Sequence, residues 1–146
     1  GFIWIAAGLL LLISKRYRKD GVCVLLALLL SFLICNLTLK PLAARMRPCW
    51  ETVQHVLLIP VPRDFSFPSG HTASSFAAAT AIFHANRRLG WCAFALAAVI
   101  AFSRLYLYVH FPTDVLAGAL LGAFCAWVVM RVLFRAAKPR RAKERK

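Results

Sequence analysis

The sequence predicts an all-α fold: a polytopic bundle of about five transmembrane helices, folded as a single domain over residues 1–134. Three observations carry this expectation. Hydrophobic residues make up 61% of the 146 residues, and the mean hydropathy is +0.69, whereas soluble domains run near ~45–50% apolar. The apolar residues gather in five runs, at 1–13, 21–39, 70–86, 91–109 and 112–134. Most of the 19 Lys and Arg residues fall between or after those runs, as basic loops do beside membrane spans.

The first run, "GFIWIAAGLLLLI", is too short to cross a bilayer, which takes ~20 residues. No basic residues precede it, as they would in a signal peptide. It is expected to be the tail of a longer helix whose beginning is missing. The second run, "GVCVLLALLLSFLICNLTL", has about the right length to cross. The third, "GHTASSFAAATAIFHAN", is short and rich in Ala, Ser and Thr. Small residues let helices approach closely, so this helix belongs inside the bundle. The fourth is "WCAFALAAVIAFSRLYLYV". The fifth, "PTDVLAGALLGAFCAWVVMRVLF", places Gly118 and Gly122 four apart, a spacing read as ordinary helix packing. Cys23, Cys35, Cys92 and Cys125 lie inside apolar runs and read as small hydrophobes. Cys49 falls in a polar connection without an obvious partner.

The formal net charge of +14 admits either nucleic acid or an anionic membrane as partner. Its distribution favours the membrane. "KRYRKD" (15–20), "NRRLG" (86–90) and the basic tail "RAAKPRRAKERK" (135–146) share one side if every run crosses. That side is then cytoplasmic, and its basic segments meet anionic headgroups rather than nucleic acid.

The opposite side receives residues 40–69 and 104–114. Its basic residues are Lys40, Arg45, Arg47, Arg63 and Arg104, against the acids Glu51, Asp64 and Asp114. A cationic pocket beside apolar helices suits an anionic ligand with an apolar tail. Lys40 and Arg47 flank a short helix expected to begin at Pro41; the two cations suit one phosphate, or they simply snorkel at the interface. Arg45 and Arg63 are expected only to snorkel. In "PSGHT", Ser69 suits an N-cap and Gly70 permits close approach to the backbone. The N-terminus so formed either binds phosphate or is a plain cap. His71 follows as a candidate proton donor. In "VHFPTD", Pro112 suits a first helical turn. Asp114 is favourable near that N-terminus in any case. His110 and Asp114 are also four apart, so the carboxylate could hold one ring nitrogen and leave the other as a nucleophile.

Taken together, these residues resemble the type 2 phosphatidic acid phosphatase superfamily. Its signature has three parts: Lys40, six residues, Arg47-Pro48; then Pro68-Ser69-Gly70-His71; then Ser103-Arg104, five residues, His110, three residues, Asp114. Every position matches in identity, order and spacing. The resemblance implies that His110 is the nucleophile, that Asp114 orients it and that His71 protonates the leaving oxygen. It implies that Lys40, Arg47, Ser69, Gly70 and Arg104 hold the phosphoryl oxygens without a metal or other cofactor. It further implies a six-helix architecture, a lipid phosphate or diphosphate as substrate, and a site on the extracytoplasmic face of what resembles a bacterial cell membrane protein. A vanadate-dependent haloperoxidase-like enzyme shares the motifs. A membrane scaffold with a dead site is the non-enzymatic alternative.

Overall fold

A computed structural model describes residues 1–51 and 58–135. His55 and the basic tail beyond residue 135 lie outside the described residues. The described chain is an all-α helix bundle of a polytopic membrane protein. Helix α1 is Phe2–Ile13 and α2 is Arg18–Phe32. A π-helical segment, Leu33–Leu39, continues α2 directly into α3, Lys40–Ala43. A short α4, Pro48–Glu51, is followed by α5 (Gly70–Ala85), α6 (Arg87–Tyr106) and α7 (Pro112–Arg135).

Three helical rods among the described residues are long and apolar enough to cross a membrane: Arg18–Ala43, Arg87–Tyr106 and Pro112–Phe134. Their outward faces remain greasy. Leu29 and Phe32 on α2, Val99 and Phe102 on α6, and Leu120 and Phe124 on α7 are all exposed. Lipid is the natural solvent for such faces, because exposed apolar patches of this extent are rare in soluble monomers.

Helix α5 is the shorter, inner one, packed against α2, α6 and α7, with α1 touching it as well. Its Ala73, Ala77, Ala78, Ala79 and Ala81 are buried. Small side chains permit this, and the two glycines of α7 complete it. A Cβ built on Gly122 would stand 2.1 Å from the Ala73 carbonyl oxygen, and one on Gly118 would stand 2.6 Å from that of Ser69. Backbone therefore meets backbone along the α5–α7 seam. Helix α1 is pinned to the same hub, its Trp4 Nε1 donating to Ser75 Oγ at 2.9 Å.

The fourth apolar run was read as residues 91–109. The helix instead begins at Arg87, where the Asn86 side chain accepts from the N–H groups of Arg88 and Leu89. It ends at Tyr106, because Tyr108 takes the left-handed conformation (φ 55°) and turns the chain. That turn carries His110 away from the apolar surface. Since α2, α5, α6 and α7 alternate in direction, the end of α2–α3, the start of α5, the end of α6 and the start of α7 meet at one end of the bundle. The Ser14–Tyr17 and Asn86 turns, with their basic neighbours, lie at the other.

Candidate active site

Ala44 ends α3 in the left-handed conformation (φ 44°), its N–H bonded to the Lys40 carbonyl. The chain therefore doubles back and Arg47 points inward. Only 3% of Arg47 is exposed, and only 6% of Lys40. Two buried cations need partners, and both find Asp64. Lys40 Nζ bonds Asp64 Oδ2, and Arg47 Nη2 bonds Asp64 Oδ1 at 2.8 Å. Arg47 Nε donates to the Asp64 carbonyl at 2.7 Å, and Nη1 to the Val109 carbonyl at 2.8 Å. Nη1 also lies 3.2 Å from His110 Nε2. Burial opposes ionisation of the Asp64 carboxyl, but the bonds and charges of Lys40 and Arg47 outweigh it and hold its pKa below the usual carboxylate range.

His110 and Asp114 are both buried, Asp114 completely. Asp114 is the third residue of α7, and its Oδ2 accepts the Phe111 N–H at 2.9 Å. That bond is the return half of a capping box, so the helix-start role and the site role are compatible. The same oxygen lies 3.5 Å from His110 Nδ1. It also accepts a 2.5 Å bond from Ser66 Oγ, which itself lies 3.4 Å from His110 Nδ1. Asp114 Oδ1 receives Arg45 Nη1 at 2.8 Å. Burial, and then the positive charge of Arg47, pull the His110 imidazole below its ordinary pKa, to about 4, against the opposing pull of Asp114. His110 is therefore neutral at pH 7, with Nε2 facing away from Asp114.

Arg45 corrects an expectation. It was read as an interfacial anchor, yet it pairs with the buried Asp114, donates to Thr113 Oγ1 at 2.7 Å and lies over the Phe111 ring at 4.1 Å. Ser66 and Asp64 were not singled out either. No spacing signal marks them; both are delivered by the return of the 58–69 loop, where the Ser66 N–H bonds the Arg45 carbonyl at 2.9 Å.

At the start of α5, Ser69 occupies the N-cap but makes no side-chain cap bond. Its Oγ accepts from Thr72 Oγ1 at 2.9 Å, and its N–H bonds the Asp114 carbonyl at 3.0 Å. The plain-cap alternative is therefore not what Ser69 does. Gly70 sits against Asn36 of the π-helical segment, with 3.3 Å from a built Cβ to Asn36 Oδ1. His71 is exposed to a cavity, and Arg104 reaches the same space with its guanidinium bonded to Ser103 Oγ at 3.0 and 3.1 Å. That cavity, of about 370 Å³, is lined by Lys40, Arg47, Gly70, His71, Arg104 and His110, with Asp64 and Asn36 beside them. The structure thus brings together both histidines and all three cations of the motif set. Ser69 and Asp114 stand directly behind them and are not part of the wall.

The result is a cationic cavity with a neutral, backed imidazole at one end of a membrane helix bundle. The chain belongs to the PAP2 superfamily, whose profile matches residues 20–138. It is similar to an undecaprenyl-diphosphatase of Sulfolobus acidocaldarius, with 32% identity over 90% of this chain and 64% of that protein. It is also similar to a lipid A 4'-phosphatase of Bacteroides thetaiotaomicron, with 31% identity over 86% of this chain and 62% of that protein. The crystal structure of Aquifex aeolicus LpxE superposes with a TM-score of 0.78 at 30% identity, over 90% of this chain and 78% of that one. The chain thus spans less than two thirds of the length of these curated relatives.

Proposed function

We propose that this chain carries the active site of an integral membrane lipid phosphatase that releases phosphate from a lipid phosphate or diphosphate through a phosphohistidine. The observation that carries the reading is the convergence of His71, His110, Lys40, Arg47 and Arg104 on one cavity at the helix ends. Neutral His110 attacks phosphorus through Nε2 while the bond to the leaving oxygen breaks. His71, at the first turn of α5, gives that oxygen its proton. Water then attacks the phosphohistidine and frees phosphate and His110. Asp114, held by Ser66 and Arg45, keeps the Nδ1 side of His110 fixed as positive charge develops on the ring. Lys40, Arg47 and Arg104, with the N–H groups around Ser69 and Gly70, hold the phosphoryl oxygens, the task that metal ions perform in other phosphoryl transferases.

The basic segments at the opposite end of the bundle support an extracytoplasmic site, by the positive-inside tendency. Similarity to the Sulfolobus undecaprenyl-diphosphatase supports a polyprenyl diphosphate as substrate, with phosphatidate and phosphatidylglycerol phosphate as the other candidates. The test is phosphate release by the full-length protein in detergent, on all three lipids. The His110→Ala variant is expected to lose at least about 1,000-fold in rate while remaining folded, and EDTA is expected to leave the wild-type rate unchanged. Full turnover by His110→Ala would remove the nucleophile from the scheme.

A further inference from the structure

The Lys40–Arg47 side of the cavity is already occupied by a group of the protein itself. A guanidinium has five N–H donors, and those of Arg47 are all engaged. They go to the Asp64 carbonyl, the Val109 carbonyl, His110 Nε2, the Asp64 carboxylate and the Phe65 carbonyl. Lys40 Nζ is held by the second oxygen of the same carboxylate. Asp64 therefore bridges the two cations that the proposed function assigns to phosphate, with one oxygen on each, as two oxygens of a phosphoryl group would lie. An incoming phosphate gains the Arg47 Nη2 and Lys40 N–H donors now held by Asp64 only when that carboxylate moves.

We infer that Asp64 is a built-in competitor for the phosphate subsite, displaced by the substrate and returning as the product leaves. The loop geometry permits this without unfolding. The Asp64 backbone is anchored separately, through its own carbonyl and that of Phe65 to Arg47. Its side chain is 54% exposed, whereas those of its two partners are 7% and 4% exposed. A rotation about the side-chain bonds suffices to carry the carboxylate out into water, where its charge is solvated at low cost. The cations stay where they are. A cavity left with two bare buried cations would be costly between turnovers; Asp64 neutralises them while the subsite is empty. It thereby also lowers the affinity for product, so that phosphate leaves.

The inference rests on the phosphatase reading, and its test keeps the two apart. Inorganic phosphate is used as a competitive product inhibitor of the full-length wild type and of Asp64→Asn, which keeps the shape and removes the charge. The variant is expected to show an inhibition constant and a KM about tenfold lower, because the carboxylate's charge-assisted bonds to Lys40 and Arg47 no longer have to be broken. Its kcat is expected to fall if product release limits turnover, with kcat/KM no lower than in the wild type. An unchanged or raised inhibition constant overturns the inference, since Asp64 would then merely align the cations. A structure of the wild type with orthovanadate bound gives a second readout that needs no variant. The Asp64 carboxylate should be off Lys40 and Arg47, and its retention on both would overturn the inference. Should the wild type neither bind inorganic phosphate nor release it from any lipid, it is the functional reading that fails.

Discussion

Gly122 lies well below the cavity, and a single added methyl group there is expected to disable it. In the Gly122→Ala variant the new Cβ would stand 2.1 Å from the Ala73 oxygen, 2.8 Å from the Ala77 nitrogen and 2.9 Å from the Ala73 carbonyl carbon. All three are backbone atoms of α5, so no side chain can rotate aside. Ordinary contact distances are ~3.5 Å, so α7 must retreat from α5 by roughly 1.4 Å at this point. Overpacking of this kind costs about 1–3 kcal/mol, which lowers the melting temperature by roughly 3–10 °C for a chain of this size. The same displacement separates His71, on α5, from the His110–Asp114 pair that leads into α7. A misplacement of about 1 Å at reacting groups costs on the order of 100-fold in rate. Phosphate release and a thermal melt in detergent read both effects. Leu120→Ala serves as the control; it lies on the lipid-facing side of the same helix, 65% exposed, and should retain the wild-type rate. Wild-type melting and wild-type turnover in Gly122→Ala would refute the claim that the α5–α7 seam sets the distance between the histidines.

Two further outcomes are expected around His110. Asp114→Asn should lower kcat by about 100- to 10,000-fold. It should also move the acid limb of the residual activity to lower pH: the imidazole, already depressed by burial and by Arg47, loses the one neighbouring charge that raises it. An acid limb that stays in place would show that Asp114 does not act through His110. Ser66→Ala removes the 2.5 Å bond to Asp114 Oδ2 and should lower kcat about tenfold with KM unchanged. An unchanged kcat would reduce Ser66 to packing.

The helices were legible because apolar length and small-residue composition encode them directly. The short α5 was read as an inner helix from its Ala, Ser and Thr content, and its buried alanines bear this out. The motif residues were legible because their fixed spacings survive without coordinates. Ser66, Asp64 and Arg45 were not, and the cause is physical. Their partners lie far away in sequence: Ser66 reaches Asp114 across 48 positions, Arg45 reaches it across 69, and Asp64 reaches Lys40 across 24. No helical or strand period links such pairs. They exist because Ala44 reverses the chain and the 58–69 loop returns over it. The π-helical segment was equally hidden. Nothing in "LICNLTL" distinguishes it from α-helix, yet it lies between the apolar body of α2 and Lys40, and it sets Asn36 beside Gly70. Inserted π turns are common at functional sites.

The charge balance of the cavity gives the arrangement its direction. Among the described residues, three cationic side chains, Lys40, Arg47 and Arg104, line it with a single carboxylate, Asp64. Asp114 does not alter this balance, since its charge is met behind the wall by Arg45. At rest, two of the cations share one carboxylate, while Arg104 rests on the hydroxyl of Ser103. A phosphoryl group carrying two negative charges leaves the cavity nearly neutral if it adds to Asp64, and leaves one positive charge over if it displaces it. The second outcome is the one that favours reaction. The transition state spreads negative charge over the equatorial oxygens, and a cation not fully neutralised by the ground state stabilises that charge more than it stabilises the bound substrate. Retaining Asp64 would cancel this difference, because the carboxylate would repel the same oxygens at close range. In the proposed reaction, displacement of Asp64 would therefore raise the rate of the bound complex as well as admit the substrate.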